Sequence, residues 1–249
     1  MRKQLLTSAA VLALSAGAAF ASDLPTHKGP PPAPTPAPFS WTGFYIGGEA
    51  GFGWGEESDN FDSVTGFPLD HFGVSGPKGG VKAGYNQQFN NLVLGVEADI
   101  EASGIEGKKG TTTSISCEGT CVSTSSLSMR NTWQSSLRAR AGLAFDRLLI
   151  YATGGLAIAD DTEKYYVNDT AIPAIWAGSQ TNTLYGWTIG AGAEYAIDSH
   201  WSASAELRYA SFGHANYSIP ASLSFSGTAT SYSAGFNETL AQIGLSYHF

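Results

Sequence analysis

After its N-terminal segment the chain has no long hydrophobic run, and this absence limits how it could cross a membrane. A spanning helix needs about 20 consecutive apolar residues, and no segment beyond residue 21 approaches that length. Backbone in hydrocarbon must pair internally, as a helix or as a closed barrel. Any membrane-spanning part of the mature chain is therefore predicted to consist of β-strands.

Basic residues are also scarce. Lys and Arg number 13 against 21 Asp and Glu, which gives a formal net charge of -8 at pH 7. Proteins that bind nucleic acid present a basic surface to its phosphates. The acidic balance therefore predicts no nucleic-acid partner and favours a solvated surface.

The chain has only two cysteines, Cys117 and Cys121, separated by Glu-Gly-Thr. In an oxidising compartment two neighbouring cysteines favour a disulfide that closes a small hairpin. A metal or redox site is the alternative, but a metal would need further ligands, and no histidine lies in residues 103–131.

The N-terminus has the features of a secretory signal. Arg2 and Lys3 precede an apolar stretch of small residues that ends in Ala19-Phe20-Ala21. This pattern predicts cleavage after Ala21 and therefore a signal peptide over residues 1–21. A membrane anchor is the alternative, although the stretch is short and a polar segment follows it.

Residues 22–40 are predicted to form a periplasmic leader. Proline dominates the run from Gly29 to Pro38, which favours an extended conformation that cannot pair as a strand. A flexible spacer and a contact to peptidoglycan or another envelope component are both open for such a segment.

Apolar and polar residues alternate along much of the remaining chain, residues 41–249. Alternation with period two places apolar side chains on one face of a strand and polar side chains on the other. Eight segments show the pattern over the ~9 to 11 residues that a tilted membrane strand needs. They cover residues 41–54, 79–90, 91–102, 132–145, 148–159, 184–197, 201–212 and 239–249.

Tight turns and long polar connections alternate between these segments. The tight turns are Asn90-Asn91, Asp146-Arg147 and residues 198–200, whereas the long connections are residues 55–78, 103–131, 160–183 and 213–238. Barrels of bacterial outer membranes have short periplasmic turns and longer extracellular loops. The sequence therefore predicts an all-β fold, an eight-stranded antiparallel up-and-down transmembrane β-barrel with long extracellular loops.

Aromatic residues lie where the lipid interfaces are expected. Trp187 and Tyr195 share a strand face eight residues apart, as do Trp201 and Tyr209. At ~3.3 Å per residue and a tilt near ~40°, this spacing spans roughly 20 Å of the membrane normal, close to the ~25 Å apolar band of such barrels. The predicted membrane-interface aromatics are Trp187, Tyr195, Trp201, Tyr209, Tyr247 and Phe249.

The charged residues of the strands fall on the opposite face and are predicted to fill the interior. An eight-stranded barrel is just wide enough for side chains to fill, which favours a structural salt-bridge network of acids and bases. A selectivity ring or proton path, and with it a small-solute pore, is the alternative. The predicted set is Glu49, Lys82, Glu97, Asp99, Glu101, Arg138, Arg140, Glu194, Glu206 and Arg208.

No motif fixes a base beside a nucleophile, so no enzyme and no catalytic residue is predicted. A barrel that modifies lipid A would need a histidine near a serine and a carboxylate at the lipid face or outer rim. His214 with Ser211 comes nearest to this arrangement. His71 also lies in a predicted outer loop, whereas His200 and His248 belong to the periplasmic end.

Several motifs resemble those of one protein family. They are Ala21-Ser22-Asp23-Leu24-Pro25, the proline-rich leader, Phe39 to Gly48, Gly84-Tyr85-Asn86, Gly95 to Asp99, Tyr151 to Gly155 and Glu206 to Tyr209. In these motifs the chain resembles the small outer-membrane β-barrel proteins of alphaproteobacteria, the porin-family or major surface proteins of Brucella, Bartonella and rhizobia. The resemblance implies an abundant protein of the Gram-negative outer membrane that supports envelope integrity and presents loops outside the cell.

Partners are also predicted. Outer-membrane lipids and lipopolysaccharide are expected around the apolar band, and the barrel-assembly machinery is expected to bind the strand that ends in Phe249. Some family members are implicated in hemin binding or host contact, so a surface ligand-binding protein is the alternative function. An axial ligand to hemin would come from Tyr165, Tyr166, His71 or His214.

Overall fold

The computed structural model describes residues 39–59, 71–117, 119–169, 174–219 and 230–249. The predicted signal peptide and most of the predicted leader lie outside these residues. The strands are β1 (Gly43–Asp59), β2 (Phe72–Phe89), β3 (Leu92–Ser103), β4 (Glu106–Cys117), β5 (Gly119–Arg130), β6 (Trp133–Phe145), β7 (Leu148–Asp169), β8 (Ala174–Ala196), β9 (Trp201–Phe212), β10 (Ala215–Ile219) and β11 (Thr230–His248). Within the described ranges, no helix has the length and apolar character needed to cross a membrane.

Eight of these strands close into a ring, in the order β1, β2, β3, β6, β7, β8, β9 and β11. Neighbouring strands are antiparallel, and β1 closes the ring by pairing with β11 from Tyr45 opposite His248 to Asp59 opposite Ala234. Closure leaves the ring without a free sheet edge. The predicted eight-stranded antiparallel barrel is confirmed, and each predicted strand segment overlaps one strand of the ring.

Short turns join the ring strands at one end of the barrel, which we call the turn end. Asn90 and Asp146 begin the turns after β2 and β6 with positive φ angles of 54° and 55°. Asparagine and aspartate adopt this left-handed conformation more readily than other residues with a Cβ. After β8, the Asp198 carboxylate accepts the backbone N–H groups of His200 at 2.7 Å and Trp201 at 2.8 Å. Local turn chemistry therefore sets the strand register here.

At the opposite end, the extended end, the long connections differ from the prediction because much of each is strand. β7 and β8 pair without interruption to Asp169 opposite Ala174, and β10 pairs with the beginning of β11. Within residues 103–131, β4 and β5 form a hairpin that pairs with β2 on one side and β7 on the other. Here the wall has water outside and apolar side chains inside, so the outward-apolar alternation of membrane strands is reversed or interrupted, although threonine still favours pairing.

Side chains alternate along the ring strands between an exposed apolar outside and a buried polar inside. On β3, Leu94, Val96 and Ile100 are exposed, whereas Glu97 and Asp99 are buried. This arrangement is the reverse of that in most soluble proteins, where charged residues face water. It suits a barrel whose outer surface contacts lipid.

Apolar clusters pack inside the barrel at both ends, so the charged layer lies between them. The cluster at the turn end includes Trp41, Val93, Leu149 and Tyr151, with Phe39 packed against it. The cluster at the extended end includes Phe72, Val74, Ile105, Leu127, Met129, Phe212, Tyr217, Tyr232 and Phe236.

Candidate functional site in the barrel interior

Strand geometry brings charged side chains from several walls into one layer. Successive inward positions on β3 carry Glu97, Asp99 and Glu101, and those on the neighbouring β6 carry Arg138 and Arg140. Opposite charges therefore face each other on adjacent strands. The structure places all ten predicted charged residues inside the barrel, with 1–7% of each exposed.

Arg138 lies at the centre of this layer. Its Nη2 atom is 2.5 Å from Glu97 Oε1 and 3.1 Å from Asp99 Oδ2, both on β3. Its Nη1 atom is 2.5 Å from Glu206 Oε1 on β9, which lies three strands away around the ring. One guanidinium therefore links walls that do not pair with each other.

Arg140 organises the side of the layer nearer the turn end. Its Nη2 atom pairs with Glu194 on β8, and its guanidinium carbon lies 3.8 Å from the centroid of the Tyr151 ring. Its Nη1 atom donates to the Tyr45 hydroxyl at 3.3 Å, and that hydroxyl donates to Glu97 Oε2 at 2.7 Å. Charged hydrogen bonds from both Nη atoms and a cation–π contact thus hold this buried guanidinium, although its Nε has no hydrogen-bond partner among the described residues.

Two further bases join the remaining walls. Arg208 on β9 lies 2.5 Å from Glu101 and 3.3 Å from Asp99. Lys78 on β2 lies 2.9 Å from both Glu101 and Glu238, the latter on β11. These pairs extend the network around the rest of the ring.

Lys82 and His248 make weaker contacts. Lys82 Nζ lies 3.8 Å from Glu49 Oε2 and 3.3 Å from Ser204 Oγ. His248 is buried at the turn end, as the sequence indicated, with Nε2 2.9 Å from Ser202 Oγ and 3.3 Å from Glu194 Oε1.

One group of carboxylates has a spacing that suits a metal ion. Oxygen atoms of Glu49, Asp99 and Glu101 lie within 4.8 Å of one another. Arg208 already pairs with Asp99 and Glu101. The guanidinium therefore supplies positive charge where an ion would have to bind.

The sequence prediction omits Lys78 and Glu238, which belong to segments predicted to be loops. Their position along the strand was the available signal. Lys78 is four residues before Lys82, and Glu238 is four residues before Gln242. Residues an even number apart on a strand share a face, and all four side chains are buried.

A separate acidic group lies inside the extended end, beyond the lipid-facing band. Glu57 on β1 and Glu163 on β7 are fully buried, and the two strands lie on opposite sides of the ring. Burial, together with neighbouring carboxylates, raises the pKa of Glu57 to about 11 and the pKa of Glu163 to about 9. The nearby Tyr217 hydroxyl donates to Asp161 at 2.5 Å. Both glutamates are therefore expected to be protonated at neutral pH.

The predicted interface aromatics lie on the outer surface at the two ends of the apolar band. Trp187, Tyr195, Trp201, Tyr209 and Phe249 are exposed, and Tyr247 is half-buried. Ring centroids are 5.6 Å apart for Trp187 and Tyr209, and 5.3 Å apart for Trp201 and Tyr247. We call the exposed rings nearer the extended end the outer belt, which consists of Trp54, Trp133, Tyr185, Trp187 and Tyr209.

The two cysteines lie at the tip of the β4–β5 hairpin. The register places Cys117 opposite Gly119 and Cys121 opposite Ile115. Their side chains lie outside the described part of the structure, so the disulfide stays a prediction.

The four residues suggested for hemin do not share one face of the barrel. Tyr165 and Tyr166 are neighbours on β7, with Tyr165 buried and Tyr166 exposed. His71 and His214 are exposed, before β2 and between β9 and β10. Hemin binding therefore stays a prediction.

The family model described as "Outer membrane protein beta-barrel domain" matches residues 7–249. The chain belongs to this family. Among its relatives, the 31 kDa outer-membrane immunogenic protein of Brucella melitensis is 38% identical over 221 residues, which cover 84% of this chain and 87% of the relative. The 22 kDa outer membrane protein of Rhizobium leguminosarum is 27% identical over 217 residues, which cover 87% of this chain and 82% of the relative.

A solved structure, the outer membrane protein OprG of Pseudomonas aeruginosa, matches this outer-membrane barrel with a TM-score of 0.47 and 11% identity. The match covers 84% of this chain and 96% of that structure. Family membership and the names of the relatives place the barrel in the outer membrane of a Gram-negative bacterium. The predicted localisation and the resemblance to alphaproteobacterial surface proteins are confirmed.

Proposed function

We propose that this outer-membrane barrel stabilises the envelope and presents its extended end outside the cell, without catalysis and without an open pore. The observation that carries the proposal is the position of Arg138, which connects Glu97 and Asp99 of β3 with Glu206 of β9 through the middle of the interior. Because the Arg138 guanidinium links strands that do not pair with each other, it supports the barrel and occupies the space that a pore would need.

Neighbouring contacts support a filled interior. Lys78 pairs with acids on β3 and β11, and Arg140 pairs with Glu194 on β8. Apolar clusters lie on either side of this charged layer. In an eight-stranded barrel, side chains of this size fill the bore.

The outer surface supports lipid as the surrounding partner. An apolar band separates two sets of exposed aromatic rings, one of which is the outer belt. Aromatic rings at such positions anchor barrels at the two membrane interfaces. We therefore assign outer-membrane lipids and lipopolysaccharide as partners, with the turn end in the periplasm.

Two measurements test this function. A deletion strain is expected to become sensitive to detergent, and expression of the wild-type chain should restore resistance. Purified barrel in planar bilayers is expected to show no large, stable conductance steps. Normal detergent resistance in the deletion strain would contradict the structural role, and stable conductance steps would contradict the filled interior.

A further inference from the structure

Exposed basic residues are concentrated on one patch of the barrel wall. Among the residues that the structure describes, the exposed Lys and Arg side chains are Lys108, Arg130, Arg147 and Lys164. Arg147 lies at the turn end, whereas the other three lie at the extended end on β4, β5 and β7. In a chain with a net charge of -8, three of the four exposed basic side chains of the described residues thus lie at one place.

The strand register shows how close these three residues are. Ser128 on β5 lies opposite Lys108 on β4 and opposite Lys164 on β7, so the three form one row across adjacent strands. Arg130 lies two residues along β5 from Ser128. With strands about 4.8 Å apart, the two lysine Cα atoms are roughly 10 Å apart. We call Lys108, Arg130 and Lys164 the basic patch.

The basic patch lies next to the lipid-facing surface. Arg130 ends β5 three residues before Trp133 of the outer belt, with which β6 begins. On the shared neighbour β7, Arg130 is opposite Thr162, and Gln134, which follows Trp133, is opposite Ala159. The two positions are therefore three residues of β7 apart, about 10 Å. The patch is therefore at the height where lipid headgroups begin.

The positive charges of the patch are available to a ligand. Among the described residues, the ion pairs involve none of the three side chains. They line a shallow depression of about 440 Å³ together with the hydroxyl-bearing residues Ser128 and Thr162. Glu106 also lines it, opposite Arg130 in the register. The depression thus has two net positive charges and two hydroxyl groups.

We propose that the basic patch binds a phosphate group of lipopolysaccharide in the outer leaflet. A guanidinium can bind phosphate through two parallel hydrogen bonds, and lysine adds a compact positive charge. A lipid whose acyl chains lie against the apolar band would bring its headgroup phosphate to this height. The inference rests on the proposed function, since that function places the extended end outside the cell and lipopolysaccharide around the barrel.

The test uses the full chain, folded in detergent micelles, with defined lipids. The probes are lipid A with its phosphates, dephosphorylated lipid A and free inorganic phosphate, and bound lipid is measured by native mass spectrometry. The triple variant K108Q/R130Q/K164Q removes the patch. R147Q is the matched control, because it removes an exposed charge at the turn end. Heat-modifiable gel mobility checks that every variant has folded.

Wild type and R147Q are expected to bind phosphorylated lipid A equally well, and the triple variant about tenfold or more weakly. Dephosphorylated lipid A should bind all three proteins alike, and millimolar inorganic phosphate should not compete. Equal binding of phosphorylated lipid A by the triple variant, or an equal loss in R147Q, would overturn the inference. Competition by inorganic phosphate would also overturn it, because the site would then be a general anion site.

This result is separate from the test of the structural role. If the deletion strain is sensitive to detergent but the triple variant binds lipid A normally, the patch assignment fails while the structural role stands. If the deletion strain has normal detergent resistance but the triple variant binds phosphorylated lipid A more weakly, the structural role fails while the patch assignment stands.

Discussion

Replacing Arg138 with methionine is expected to destabilise the barrel more than any change at its surface. Met replaces only the aliphatic part of the arginine side chain, so the contacts of the guanidinium with three acids are lost. Asp99 keeps Arg208 at 3.3 Å, and Glu97 keeps Arg140 at 3.9 Å. Glu206 loses the ion pair that Arg138 makes with it at 2.5 Å. Removing one partner of a buried pair typically costs about 3–5 kcal/mol, so we expect R138M to lower the free energy of unfolding by that amount.

A second change separates loss of the network from a general packing defect. In the R138M background, E206Q removes the carboxylate left without a base and is expected to restore about 1–3 kcal/mol, since a buried polar group costs less than a buried charge. Urea unfolding of the barrel in lipid vesicles, followed by tryptophan fluorescence, measures both effects. The control R147M changes an exposed arginine and should stay within about 0.5 kcal/mol of wild type. An R138M barrel as stable as this control, or further destabilisation by E206Q, would show that Arg138 does not hold the network together.

Two further predictions concern the extended end and the strand packing. Because the pKa values of Glu57 and Glu163 are raised, the folded state keeps protons that the unfolded chain releases near pH 4.5. The free energy of unfolding should therefore fall as the pH rises from about 4.5 to 9. The expected slope is up to about 1.4 kcal/mol per pH unit for each group. Unfolding measured across this range should show a shallower slope for E163Q, and an unchanged slope would contradict the burial of this carboxyl group. A Cβ atom at Gly155 would lie 2.0 Å from a backbone oxygen of β6, whereas one at Gly154 would meet its nearest atom at 3.8 Å. We therefore expect G155A to cost about 1–3 kcal/mol in urea unfolding and G154A to have little effect, and equal stabilities would contradict the close approach of these strands.

Sequence alone revealed the part of the fold in which lipid imposes alternation. β3 separates hydrocarbon on one side from a charged bore on the other. Its outward side chains are therefore Leu94, Val96 and Ile100, and its inward side chains include Glu97 and Asp99. Alternation of this kind identified the eight strands and most members of the interior network.

Beyond the lipid, this alternation is reversed or interrupted. In β5, Leu127 and Met129 face inward and Ser128 faces outward, which is the reverse of the membrane pattern, and the serine at the inward position 125 interrupts it. Lys78 and Glu238 are not predictable as interior residues for a related reason, because they belong to segments whose composition is typical of polar loops. The partner of each inward charge was also not predictable, since register between distant strands depends on closure of the whole ring.

The closed barrel depends on the pairing of β1 with β11, because this pairing joins the two ends of the sheet. The direct test is an A50C/I243C variant in a background with Cys117 and Cys121 changed to serine. Ala50 and Ile243 are opposite in the register, so their Cβ atoms are about 4.5–5.5 Å apart and within reach of a disulfide after small adjustment. In folded protein, mild oxidation should cross-link this pair and shift its mobility on a boiled, non-reducing gel, whereas A50C/Y247C, displaced by four residues, should not cross-link. Absence of the cross-link in A50C/I243C, or equal cross-linking of the displaced pair, would contradict the closed barrel.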